Sequence, residues 1–329
     1  KAREDEIEAI LAAWAADSNT IGDVVGTAKK TGATNLQKTP IAVSVVGGNE
    51  LETNHVVNLR DLPTEVPALK IINLNANTVV FIRGVSGFAA NNEQDVGIYQ
   101  DGVYMGRTTA VFQSNFNDLE RVEVVKGPQG TTFGRNSVGG ALNFITKQPS
   151  QTFQLENTLN LGNYNLIDEA FHISGPLTDK LQASASIGYV KHDGYIHDVV
   201  SGVPPVGEAN RFNFRGQLKY EFNNDITNLV RVDYLYTHEH YGIYSTLLLP
   251  TTDPRYINGS GSYIGYPSPL ANAQIGNLHY YGSGAPSLNS ELDYGINDEL
   301  NWKINDNLSI KNLVAYRTDQ NRGLSAGNG

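Results

Sequence analysis

The stretch Asp118–Gln148, DLERVEVVKGPQGTTFGRNSVGGALNFITKQ, decides how the rest of the chain is read. Leu119, Val122, Val124 and Val125 form an apolar, β-branched run with charged neighbours, which predicts a strand. Gly127-Pro128 then turns the chain, and Gly130, Gly134, Gly139 and Gly140 follow at short intervals. Proline fixes φ and lacks a donor, whereas glycine admits positive φ and close backbone approach. A second strand, Ala141–Thr146, closes the unit ahead of Pro149. Spacing alone makes this a glycine-rich turn in an α+β domain.

The residues say more. VEVVKGPQGTTFGRNSVGGALNFITKQP resembles the end of the plug domain of TonB-dependent outer-membrane receptors. The resemblance continues upstream in the same order, through TPIAVSVV at Thr39–Val46, VFIRGVS at Val80–Ser86 and VGIYQDGVYMGR at Val96–Arg107. It covers Asp23 to Pro149. Within it Arg83, Gly84, Gly127, Pro128, Gly130, Gly134, Arg135, Gly139 and Gly140 are the structural plug motif, and Arg83 is expected to pair with Glu120 or Glu123.

Beyond Pro149 the argument is physical. In Arg211–Phe222, Phe212, Phe214, Leu218, Tyr220 and Phe222 lie on one face of a strand, with Arg211, Asn213, Arg215, Gln217, Lys219 and Glu221 opposite. Ile226–His238 sets Val230, Val232, Tyr234 and Tyr236 against Arg231 and Asp233. Similar alternation marks Phe153–Leu161, Ile167–Ile173, Leu181–Tyr189, Tyr294–Ile304 and Leu308–Tyr316, about seven strands in all. Each is near the roughly 9–11 residues a tilted membrane strand needs. Tight links at Gly175–Lys180, Asn223–Asp225 and Asn305–Asn307 alternate with long ones at Asp193–Ala209 and Tyr241–Asp293, with a short Gly162–Asn165 as the exception, which is the outer-membrane pattern of short periplasmic turns and long exterior loops. Tyr189, Tyr220, Phe222 and Trp302 sit where interfacial aromatic girdles belong. The fold class is therefore an α/β plug followed by antiparallel transmembrane barrel strands. A soluble β-rich adhesin or binding module is the rival, and it would bury those apolar faces.

The family's barrel has about 22 strands, so the chain reads as incomplete, with a remainder or a second chain closing the wall. The expected domains are an N-terminal helical extension at 1–20, a TonB-box-like segment and linker at 21–39, the plug at 40–148 and the first part of the barrel at 149–329. Ile7, Ile10, Leu11 and Trp14 give the extension one apolar stripe. The box is Asp23, Val24, Val25, Thr27 and Ala28, interrupted by Gly26. An extended segment of this kind can add a strand to a partner's sheet edge; the alternative is a linker that happens to hold two valines.

Composition sets outer bounds. The 329 residues include no Cys, so no disulfide or thiolate metal site is available, and the net charge of −10 argues against a nucleic-acid partner. No apolar run reaches the roughly 18 residues of a membrane helix. His238-Glu239-His240 alternates across a strand and offers too few ligands for a metal. No catalytic constellation is present, and no cofactor or metal is implied. Binding is better supported. Tyr244, Tyr263 and Tyr266 lie in the long loop, and Tyr99, Tyr104 and Arg107 surround the plug hairpin as ligand contacts. The family implies uptake of a scarce ligand across the outer membrane of a Gram-negative bacterium, a ferric siderophore first. The energy comes from a periplasmic TonB-type partner. An oligosaccharide, cobalamin or another nutrient is the alternative cargo.

Overall fold

The computed structural model describes residues 25–26, 34–35, 42–54, 56, 59–74, 77–86, 95–106, 118–134, 136–198, 205–240, 280–281 and 288–324. Outside them lie the 4–17 helix, Asp23, Val24, Thr27 and Ala28 of the box, Arg107, Arg135, and the loop tyrosines Tyr244, Tyr263 and Tyr266.

The order is β1 (Val25–Gly26), β2 (Thr34–Asn35), β3 (Val43–Gly47), α1 (Gly48–Thr53), a 3-10 turn (Leu59–Thr64), β4 (Leu69–Leu74), β5 (Asn77–Ile82), β6 (Val96–Gln100), β7 (Val103–Tyr104), β8 (Leu119–Lys126), α2 (Gly130–Phe133) and β9 (Gly140–Thr146). After these come β10 (Gln154–Gly162), β11 (Leu166–Pro176), β12 (Leu181–His192), β13 (His197–Asp198), β14 (Ala209–Asn223), β15 (Ile226–His240), β16 (Tyr280–Tyr281), β17 (Leu288–Asn305) and β18 (Leu308–Leu324).

The plug is a five-stranded mixed sheet, β3-β8-β9-β6-β7, in which only β6 and β9 run parallel. Val46, Ile98, Val122, Val124, Leu142 and Phe144 bury one face beneath Leu51, Leu62, Leu69 and Ile82. Tyr99, Val125 and Ala141 cover the other with Tyr104 and Phe133. Sequence spacing predicts a helix over Glu50–Leu59. Instead α1 ends at Thr53, and a 3-10 turn with Pro63 inside it follows. Pro63 cannot donate to an α-helical ladder, so the chain tightens locally. Strand β4, absent from the sequence reading, pairs with β5 from Leu69↔Ile82 to Leu74↔Asn77.

At Gly140 the chain enters β9 with φ 140°, and an added Cβ would stand 2.2 Å from the Val125 carbonyl oxygen. That geometry needs glycine.

The second body is a seven-stranded antiparallel sheet in simple sequence order, β10-β11-β12-β14-β15-β17-β18. The seven expected strands are all present, and the later ones run longer: β14 and β15 have 15 residues each, β17 has 18 and β18 has 17. One face carries Ile187, Phe212, Leu218, Tyr220, Val232, Tyr234, Ile296, Ile310, Val314 and Tyr316, all exposed. The opposite face buries Gln182, Ser184, Ser186, Gln217, Arg231, Thr237, Glu291, Asp293 and Asn297. A water-soluble sandwich would invert this arrangement. An apolar face continuous over several strands far exceeds what soluble monomers expose, and lipid is the solvent it suits. No helix among the described residues is long and apolar enough to cross a membrane, which says nothing of strands.

Candidate functional site

The plug meets the polar face of the wall, and charge governs the contact. The β6–β7 hairpin turns at Asp101-Gly102 in register Gln100↔Val103, where the Asp-Gly pair between Tyr99 and Val103 is a sequence signal for such a turn. Asp101 has φ 51° and is buried. Its carboxylate accepts hydrogen bonds from the Thr146 backbone N–H at 2.9 Å and from Thr146 Oγ1 at 3.0 Å. It also faces Arg231 Nε on β15 at 3.6 Å, with only 5% of the Arg231 side chain and 2% of the Asp101 side chain exposed. Arg231 continues to Glu299 Oε2 and Asn297 Oδ1, both at 3.1 Å, and Lys311 reaches Glu299 at 2.8 Å. A chain of alternating charge thus runs from the plug tip across three wall strands.

A second tie joins Arg215 on β14 to Asp118 at the start of β8. Beside it Gln217 Nε2 donates to the Lys147 carbonyl at 2.8 Å, and Lys147 pairs with Glu156 at 2.9 Å. Between Gln100 and Met105 of the plug and Arg215, Asp233 and Arg317 of the wall lies a cavity of about 30 Å³, room for a water. Arg231 Nε, Gln217 Oε1 and Thr237 Oγ1 are buried without a hydrogen-bond partner in the protein. Buried polar groups of this kind are met by water. The seam is therefore charged and wettable, unlike the close-packed apolar core of the plug.

The expected ligand residues fall into two groups. Tyr99 is 6% exposed, and its hydroxyl donates to the Phe133 carbonyl. Its ring lies 5.5 Å from that of Tyr104 and 4.9 Å from that of Phe133. Tyr104 Oη accepts from Asn136 Nδ2 at 2.9 Å. Burial, then the neighbouring Tyr104, pushes the Tyr99 phenol above its usual value. Its contribution to stability is therefore full below the ordinary phenol pKa of about 10 and declines as the pH rises past it. Tyr99→Phe strips the Phe133 carbonyl of its donor. It is expected to loosen the plug by about 1 kcal/mol, read as roughly fivefold faster hydrogen exchange over residues 130–134.

The cation beside the acidic pair is Arg121 rather than Arg83. Arg121 bonds Glu120, and its Nε reaches Glu123 Oε1 at 2.9 Å. Arg83 is exposed with φ 53°, and together with burial, the larger effect, it lowers the Lys126 pKa. His238 and His240 share a face with ring centroids 6.0 Å apart, while Glu239 turns inward to Arg211, as alternation requires. His240 Nδ1 is instead held by Glu208 at 2.6 Å.

Sequence reasoning did not find the seam. Its signal was the polar face carrying Arg215 and Arg231, but their plug partners Asp118 and Asp101 lie 97 and 130 residues away.

A small α/β sheet seated through ion pairs on the polar side of an outward-apolar antiparallel wall is the architecture of a plugged membrane barrel. Residues 35–141 match the TonB-dependent Receptor Plug Domain family. The pesticin receptor of Yersinia pestis is 29% identical over 160 residues, covering 48% of this chain and 24% of that protein. The ferrioxamine B receptor of Salmonella typhimurium is 28% identical over 174 residues, covering 50% and 24%. In fold, the crystal structure of the ferripyoverdine receptor of the outer membrane of Pseudomonas aeruginosa, bound to ferripyoverdine, superposes with a TM-score of 0.70 at 18% identity, covering 89% of this chain and 36% of that one. The chain spans about a quarter of the length of the two receptors matched by sequence. Residues 35–141 thus carry the plug domain of TonB-dependent receptors, and the strands that follow share the fold of such receptors' barrel walls.

Proposed function

We propose that this chain is the plug and first wall of an outer-membrane importer for a ferric siderophore, driven by a TonB-type partner in the periplasm. The observation that carries the reading is the seam: the plug is held to the wall by Asp101–Arg231 and Asp118–Arg215 across a wettable surface, so it can shift without tearing an apolar core. Iron chelates are favoured over cobalamin or oligosaccharide because relatives are named for ferrioxamine B and a structural neighbour holds ferripyoverdine. Ligand contacts are assigned to Tyr104, Arg107 and the loop tyrosines Tyr244, Tyr263 and Tyr266. Tyr99 acts only through Tyr104, since it is buried.

The partner would take Asp23–Ala28 as an added strand. Val25 and Gly26 pair with Asn35 and Thr34 of the chain itself, a two-residue ladder that a longer partner strand would displace. Titrating the purified receptor with a ferric hydroxamate, a ferric catecholate and cobalamin, followed by tryptophan fluorescence, tests the cargo. Tight binding of one ferric chelate is expected. Binding of cobalamin alone would transfer the reading to the cofactor-importing branch.

A further inference from the structure

At the tip of the first wall hairpin, Tyr164 and Asn165 occupy the two central turn positions with φ 58° and 56°. Asparagine tolerates that backbone, but a bulky side chain there is an outlier. The turn is also tied down. The Asp193 N–H donates to the Tyr164 carbonyl at 2.8 Å, and Asn165 Nδ2 donates to Asp193 Oδ2 at 2.6 Å. The result sets the Tyr164 ring 5.6 Å from that of Tyr195, which stands 6.2 Å from His192.

Tyr195 is seated from below by Gly207, which has φ 80° and where an added Cβ would meet the tyrosine ring at 3.2 Å. Despite this clustering Tyr164 stays 51% exposed and Tyr195 38%. They border a cleft of about 270 Å³ together with Asn163, Leu166 and His192. If His192 donates its Nδ1–H to the Asp193 carbonyl, 3.0 Å away, its Nε2 is left as an acceptor.

We propose that this cleft binds the pyranose ring of a sugar. Flat phenol faces stack on the apolar face of a sugar ring, and Asn163 and His192 supply the few polar groups that orient its hydroxyls. The volume lies just below the range of about 300–1,000 Å³ that holds drug-sized ligands, which suits a single ring. The cleft lies at the end of the wall opposite the tight turns that follow β11, β14 and β17, so under the importer reading it faces the cell exterior. Either the core glycan of the surrounding lipopolysaccharide or a free oligosaccharide could supply the ring.

Saturation-transfer NMR on the receptor purified in a sugar-free zwitterionic detergent tests this, with delipidated lipopolysaccharide core oligosaccharide in one arm and maltotriose in the other. Transfer to ring protons is expected in at least one arm, and the arm identifies the source. Tyr195→Ala is expected to weaken binding about tenfold. Tyr164→Gly removes the platform while relaxing the strained turn, so binding should drop at least as far with thermal stability equal or higher. Transfer in neither arm, or unchanged binding by Tyr164→Gly, overturns the proposal.

Sidedness is separable. The 329 residues include no Cys, so Asn163→Cys adds a thiol at the cleft, and an impermeant maleimide should label it on intact cells above the level seen with the parent receptor. Sugar binding without that labelling would sink the exterior placement and leave the cleft standing.

Discussion

Replacing Arg231 by Met is expected to weaken the seating of the plug by about 3 kcal/mol, at the lower end of the cost of breaking a buried ion pair. Methionine keeps much of the apolar stem but removes the guanidinium that Asp101 and Glu299 share. Glu299 retains Lys311 and Asn301, and Asp101 retains Thr146, so the loss stops short of unfolding. Hydrogen exchange should show it as protection lost by up to about a hundredfold in the plug peptide 95–106. The wall peptide 166–176 should be unaffected. Asp101→Asn in the same background should cost less than it does alone, because the two residues share one interaction. Equal exchange in wild type and R231M would mean that the seam does not hold the plug.

The second large effect is local to the plug. Gly140→Ala forces a Cβ to 2.2 Å from the Val125 carbonyl oxygen at φ 140°, and both the clash and the backbone angle oppose it. Backbone strain of about 1–3 kcal/mol and overpacking of similar size should together unseat β9 from β8. The expected result is a receptor whose plug is cut rapidly by protease while the wall stays resistant. Gly130→Ala is the internal control from the same motif. Nothing lies within 4 Å of its added Cβ, and residue 130 begins α2, so stability should change by less than about 0.5 kcal/mol.

Much of this was legible in the chain itself, for identifiable reasons. A wall strand must show one face to lipid and the other to a polar interior, so Arg211–Phe222 alternates, with Gly216 the one gap in its apolar face, and the sheet follows it. The Asp101-Gly102 turn and the β8–β9 unit were likewise written in local residue types. Strand β4 is not predicted by local pattern because LKIINL lacks alternation and follows closely on Pro67. Helix α1 is shorter than spacing suggests, and Leu59–Thr64 forms a separate 3-10 turn that holds Pro63.

The seam was illegible for a different reason. Asp101 and Arg231 are 130 positions apart, and no local pattern states that an arginine on a wall strand will face a hairpin tip. Arg121 differs: its bonds to Glu120 and Glu123 are local, and they take the place of the Arg83 pairing expected from motif order.

The most direct test of the importer reading is accumulation of iron-55, supplied as the ferric chelate that binds best, in iron-starved cells with and without the energising periplasmic partner. The account predicts uptake that requires both this receptor and the partner, and that is lost on deleting residues 23–28 while surface binding persists. Equal uptake without the partner, or full uptake by the deletion, would contradict it.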